Sequence, residues 1–136
     1  MMLHSYLVFN GNCREAMQFY RSCLGGDLTF QTVGESPLGG RLPAPMQDHI
    51  LQATLKGENL LLMGSDLGGE GLERGNAIGL ALICESEETL RNYYEKLSED
   101  GSRIHSIIST YEGSLTGELV DKFGNPWLLH FPGRTS

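Results

Sequence analysis

Four histidines and three cysteines are the side chains of this chain most able to hold a metal or act as nucleophiles. His4, His49, His105 and His130 are scattered along the sequence. No HxxxH, HxH or paired-carboxylate spacing joins them, so no single helix turn or strand face presents two ligands together. Each therefore reads first as a surface or hydrogen-bonded structural residue. Cys13, Cys23 and Cys84 form an odd set without a CxxC pair, which argues against a zinc knuckle or a disulfide framework. They are expected as free, buried thiols in a reducing cytoplasm. Cys13 also has a reactive reading, because it opens an expected helix whose N-terminus could lower its pKa. Gly64, Gly68-Gly69 and Gly71 lack the GxGxxG or GKS/T spacing of a phosphate loop, and no GxSxG context marks a serine nucleophile.

The elements that must position these residues can be read from pattern. A strand over 5–9 is broken by Asn10-Gly11-Asn12. A helix over 13–24 follows, with Ala16, Phe19, Tyr20, Cys23 and Leu24 on one side. Asn12 is its expected N-cap, Glu15 completes a capping box, and Gly25-Gly26 closes it. The second half repeats this design. A strand over 78–84 precedes a helix capped by Ser86, with Glu87 and Glu88 favoured by the macrodipole in its first turn. Leu90, Tyr93, Tyr94 and Leu97 form its apolar stripe, and Gly101 is expected to end it. The offset between Asn12 and Ser86, and between Tyr20 and Tyr94, is 74 residues. Three strands follow each helix: 28–33, 50–55 and 59–63 in the first half, then 103–109, 115–120 and 126–131 in the second. Short turns with glycine separate the last two of each set, a hairpin signal.

The chain thus reads as α+β: one domain spanning 1–136, built of two tandem βαβββ units at about 3–64 and 77–131, with a linker at 65–76. A Gly- and Pro-rich loop over 34–48 stands outside the repeat, and the tail over 132–136 is expected to fray. With 136 residues, 40% of them apolar, the chain can bury a core without staples. A net charge of −7, with no two basic residues adjacent, argues against nucleic acid or an anionic membrane as partner. No apolar run is long enough to span a bilayer, and the start lacks the basic and apolar segments expected of a signal peptide.

Two βαβββ units in a chain of this length resemble the vicinal oxygen chelate superfamily of glyoxalases, bleomycin-resistance proteins and extradiol dioxygenases. The local motifs look most like its PhnB-like branch. They are Tyr6-Leu7-Val8-Phe9-Asn10-Gly11-Asn12, Glu15-Ala16, Phe19-Tyr20, Gly25-Gly26, Ile50-Leu51-Gln52-Ala53-Thr54-Leu55, Met63-Gly64-Ser65-Asp66, and Asp121-Lys122-Phe123-Gly124-Asn125-Pro126-Trp127. The sequence departs from the branch at Gln52, where histidine is frequent, and at Glu112, where tryptophan is frequent. The resemblance implies two curled mixed sheets around a pocket, helices outside, and a homodimer.

The resemblance also implies a divalent metal held by the first and last strand of each unit. Counting from the strand–helix joints puts the four ligand positions at Ser5, Met63, Gly79 and Leu128, none of them a good ligand. No cofactor is therefore expected. The leading reading is a PhnB-like protein with a mainly apolar small-molecule site formed by Ser5, Leu7, Phe9, Gln52, Leu61, Met63, Leu128 and His130. One alternative is a metal-dependent lyase, isomerase or dioxygenase using His4, His130 and Glu118. Another is a dimeric structural or interaction protein with a vestigial pocket. An association of this branch with ubiquinone methylation finds no Gly-rich βαβ unit here to bind a methyl donor.

Overall fold

The computed structural model describes residues 1–110 and 113–133. Glu112 therefore lies outside the described residues. The chain forms two compact units, Met1–Glu73 and Arg74–Ser136.

The first unit runs β1 (Ser5–Val8), α1 (Cys13–Leu24), β2 (Asp27–Thr32), β3 (Ile50–Gly57) and β4 (Leu60–Ser65). Its strands are ordered β1-β4-β3-β2, with β1 parallel to β4 and the other neighbours antiparallel. The second unit repeats the plan with β5 (Leu80–Ile83), α2 (Glu87–Ser98), β6 (Ser102–Ile108), β7 (Leu115–Val120) and β8 (Pro126–Phe131), ordered β5-β8-β7-β6. Both units are βαβββ, as the repeat in the sequence implies. Element ends differ from the sequence reading by a residue or two, the usual scatter at frayed ends.

Each helix packs on one face of its own sheet. Cys13, Ala16, Met17, Tyr20 and Cys23 are buried on α1, at helical spacing. They meet a row containing Ala53, Leu55, Leu62 and Gly64; a Cβ at Gly64 would come within 3.1 Å of Cys13 Sγ and Met17 Sδ. In the second unit Leu90, Tyr94 and Leu97 of α2 cover Gly117, Leu119, Trp127 and Leu129. Each fully buried leucine contributes about 2 kcal/mol of hydrophobic stabilisation.

The capping of α1 differs from expectation. Asn12 makes no side-chain cap bond. The buried Asp66, just after β4, replaces it: its Oδ1 accepts the N–H groups of Gly11 and Cys13, each at 2.9 Å, and its Oδ2 accepts Ile50 N–H at 2.8 Å. Ser86 does cap α2, accepting Thr89 N–H at 3.1 Å. Gly25 and Gly26 close α1 at φ 77° and 99°. After α2, by contrast, Asp100 takes the left-handed conformation. Gly101 is needed for space instead, because a Cβ there would run into the Val120 carbonyl oxygen.

The 34–48 loop is ordered by its own backbone and by Gln47. Gly34 N–H donates to the Gln47 carbonyl at 2.9 Å, and the Gln47 side-chain amide donates to the carbonyls of Gly39 and Leu42 at 2.7 and 3.0 Å. A short 3-10 turn, Ala44–Met46, lies within it. Among the described residues no helix is long and apolar enough to cross a membrane.

Candidate functional site

Strand register decides which side chains are covered by a helix and which lie on the sheet's open face. In the first unit Ser5 pairs with Leu62 and Leu7 with Gly64, whereas Tyr6 pairs with Met63. Partners side by side in a sheet point to the same face. Ser5 and Leu7 therefore share the helix-covered face, opposite to Leu61 and Met63. Phe9 continues that row and is completely buried. The eight residues expected to line one site are thus divided. Ser5, Leu7 and Phe9 belong to the α1 side, where the Ser5 hydroxyl donates to the Leu61 carbonyl at 3.1 Å.

Leu61 and Met63 lie on the open face with Tyr6, Thr54 and Gln52. Met63 is opposite Thr54 on β3, and exposed Gln52 follows two residues away, opposite Gln31. Tyr6 was not picked out from sequence, although it remains 56% exposed in this row. His4 is exposed and precedes β1.

In the second unit the expected parity holds. Leu128 is opposite Glu118, and His130 is opposite Thr116 and beside Ile83. All lie on the face away from the buried Leu119, Trp127 and Leu129. His130 Nδ1 is 3.0 Å from Thr116 Oγ1, which orients the ring. Glu118 is engaged instead with His105 across β6 and β7, at 3.7 Å. Ile83, 62% exposed, and Ile108, 51% exposed, add apolar surface to this face. Trp127 lies in the buried layer, its indole N–H donating to Asp121 Oδ2 at 2.8 Å. Asp121 is the turn-maker expected, its Oδ1 accepting the N–H groups of Phe123 and Asn125 at 2.8 and 3.1 Å.

The reactive reading of Cys13 is overturned. Its side chain is fully buried, and burial, aided by the Asp66 carboxylate, pushes the thiol up from 9.0 to about 12. Desolvation of the thiolate outweighs the helix N-terminus. Burial raises Cys84 as well.

A divalent metal on the first and last strands would draw on Tyr6, Leu61 and Met63 in one unit and on Ala81, Ile83, Leu128 and His130 in the other. Of these only His130 is a good ligand, and its Nδ1 is engaged by Thr116. Among the described residues no group of three or more His, Cys, Asp or Glu side chains comes together to hold an ion. Taken by itself, neither unit's set supplies the three good ligands of a divalent-metal site.

Comparison with known proteins agrees with this architecture. Residues 2–129 match the family model described as the Glyoxalase/Bleomycin resistance protein/Dioxygenase superfamily. The chain is 28% identical to Protein YjdN of Escherichia coli (strain K12), over 96% of this chain and 95% of that one. The crystal structure of protein PA1353 from Pseudomonas aeruginosa superposes with a TM-score of 0.84 at 30% identity, covering 96% of this chain and 97% of that one. A Bacillus cereus structure described as a putative 3-demethylubiquinone-9 3-methyltransferase, PhnB protein, gives a TM-score of 0.73 at 25% identity, with 96% and 99% covered.

Proposed function

The chain belongs to the glyoxalase/bleomycin resistance protein/dioxygenase superfamily, and from that premise we propose that it is a PhnB-like protein that binds a small, mainly apolar organic molecule without a metal ion and works as a homodimer. The observation that carries this reading is the apolar surface left on the open sheet faces. Tyr6 is 56% exposed and Ile83 62%, next to half-buried Met63 and Leu128. Each of these rows lies on the sheet face that the unit's own helix leaves uncovered, and exposed apolar surface of this kind suits a ligand or a second subunit. Gln52 on the first unit's face, and Thr116 with His130 on the second unit's face, are the polar groups beside these apolar rows.

The methyltransferase description belongs to the Bacillus cereus relative; among the described residues, neither α1 nor α2 of this chain starts from a Gly-rich loop. A second reading, metal-dependent lyase, isomerase or dioxygenase chemistry, rests on His130 and Glu118 sharing one face of β7 and β8.

Metal analysis of protein purified without chelator or His-tag, followed by titration with nickel, zinc, manganese and iron(II), separates the two. Weak, substoichiometric binding under every loading is expected. One tightly held ion per chain, lost when His4 and His130 are replaced by alanine, would overturn the metal-free reading. Sedimentation velocity should show a dimer, and a fluorescent apolar probe such as anilinonaphthalene sulfonate should bind less well to Leu128→Lys and Met63→Lys.

A further inference from the structure

A groove of about 400 Å³ runs along the second unit between α2 and the edge strand β6, lined by Arg91, Tyr94, Glu95, Arg103, Ser106 and Ile107. It lies on the helix side of the sheet, because Arg103 pairs with the buried Leu119. It is therefore on the opposite face from Leu128 and His130.

Among the described residues Arg103 is held in place without an acidic partner. Its Nε–H donates to Ser98 Oγ at 3.3 Å, and its guanidinium carbon stands 5.3 Å from the centre of the Tyr94 ring. The ring is itself anchored. Tyr94 O–H donates to the His105 carbonyl at 2.7 Å, and the ring packs on bare backbone at Gly117, where a Cβ would lie 2.9 Å from two ring carbons. Arg91 pairs with Glu87 and His105 with Glu118, and neither pair involves Arg103. Its two Nη groups meet no protein acceptor among the described residues. A guanidinium with its plane set and its fork open is suited to take a carboxylate in bidentate fashion.

Arg91, with its Nε on Glu87 at 3.2 Å, brings a second guanidinium to the groove. Glu95 adds the opposite charge. Two guanidinium groups and one carboxylate make a poor site for a phosphate dianion, which Glu95 would repel. They suit a ligand carrying both a carboxylate and a cationic donor.

We propose that this groove binds a small apolar α-amino acid, with its carboxylate on Arg103 and Arg91, its ammonium on Glu95 and its side chain against Tyr94 and Ile107. The cation–π contact holds Arg103 at the groove, so little ordering is left to binding.

The test is an amide chemical-shift titration of the full chain with L-phenylalanine, 3-phenylpropanoate and inorganic phosphate. Saturable shifts at Arg103, Ser106 and Ile107 are expected, strongest with L-phenylalanine, weaker with 3-phenylpropanoate and absent with phosphate. Arg103→Met should weaken L-phenylalanine binding about tenfold or more, the loss expected on removing a charge-assisted pair. Arg91→Gln should weaken it in the same direction. Glu95→Gln should reduce affinity for L-phenylalanine while leaving 3-phenylpropanoate unchanged. Native Trp127 fluorescence establishes that each variant is folded. No saturable shift up to the solubility limit of L-phenylalanine, or equal binding by Arg103→Met, would overturn the proposal. Shifts confined to Leu128 and His130 would also overturn it, while leaving the open-face reading intact.

Discussion

The Asp66 carboxylate accepts the backbone N–H of Cys13 at 2.9 Å across 53 positions of sequence. One buried side chain at the end of β4 thus caps α1, and through Ile50 it also secures the start of β3. Asp66→Ala leaves three N–H donors without their acceptor, two of them in buried contacts. The expected loss is about 3 kcal/mol. Urea denaturation should show this as a lowered midpoint. Asp66→Asn, which keeps one acceptor oxygen, should recover part of it, and equal losses for the two variants would contradict the capping role.

In the second unit the buried Asp121 fixes a turn rather than a helix start, and Trp127 reports on it. The chain has a single tryptophan, buried and donating to Asp121 Oδ2. In Asp121→Asn an amide N–H replaces the acceptor facing the indole N–H. A red-shifted Trp127 emission and a loss of about 2 kcal/mol are expected, the cost of a buried donor left unpaired. Emission unchanged from the native protein would show that the indole does not depend on this carboxylate.

The thiols should be inert in the native state. Cys13, Cys23 and Cys84 are all buried, so at pH 8 a thiol reagent such as DTNB should react slowly with folded protein and at three sites in denaturant. Folding also holds the Cys13 proton more tightly than the unfolded chain does. Its contribution to stability is intact below the ordinary thiol range of about 8–9. It is lost as pH rises from there toward about 12. Cys13→Ala should therefore flatten the alkaline limb of the stability profile. An identical limb in the variant would rule out Cys13 as its source.

Two glycines should fail for different reasons. Gly25 has φ 77° and ψ −165°, a conformation essentially confined to glycine, with nothing within 4 Å of a Cβ, so Gly25→Ala costs only backbone strain, about 2 kcal/mol. Gly101 abuts backbone at Val120 and Asp121, which cannot swing aside. Gly101→Ala should cost more, about 2–3 kcal/mol. Thermal melts of the two variants compare them directly, and the reverse order would contradict this account.

The βαβββ repeat was legible because both helices carry their apolar residues at helical spacing and end at glycines or a left-handed turn. The Ser86 cap was legible because its acceptor and donor are three residues apart. The Asp66 cap was not, because its partners at Gly11 and Cys13 are more than fifty positions away and a nearer Asn12 offers itself. The candidate site divided along the same line. Leu128 and His130 share a strand, and alternation alone puts them on one face. Placing Ser5, Leu7 and Phe9 with Leu61 and Met63 required the register between β1 and β4, and both alternating sets of β1 are apolar enough to be buried. A shift of one residue exchanges Tyr6 for Leu7, and only the pairing of Tyr6 with Met63 decides it. The Arg91–Arg103 groove had no sequence signal, since its two arginines reach it from different elements.

The stitched neck of the 34–48 loop, where Gly34 meets Gln47 and the Gln47 amide holds Gly39 and Leu42, separates the tip of that loop from the strands below it. The ends of the segment are bound to each other, so β2 and β3 do not depend on what lies between. Gly40 stands in open space at the tip, and doubling the length of such a loop costs only about 0.6 kcal/mol. For an engineer this makes the segment an interchangeable cassette: an epitope or reporter inserted at Gly40 would be displayed on a closed stem, and no strain would pass into the sheet.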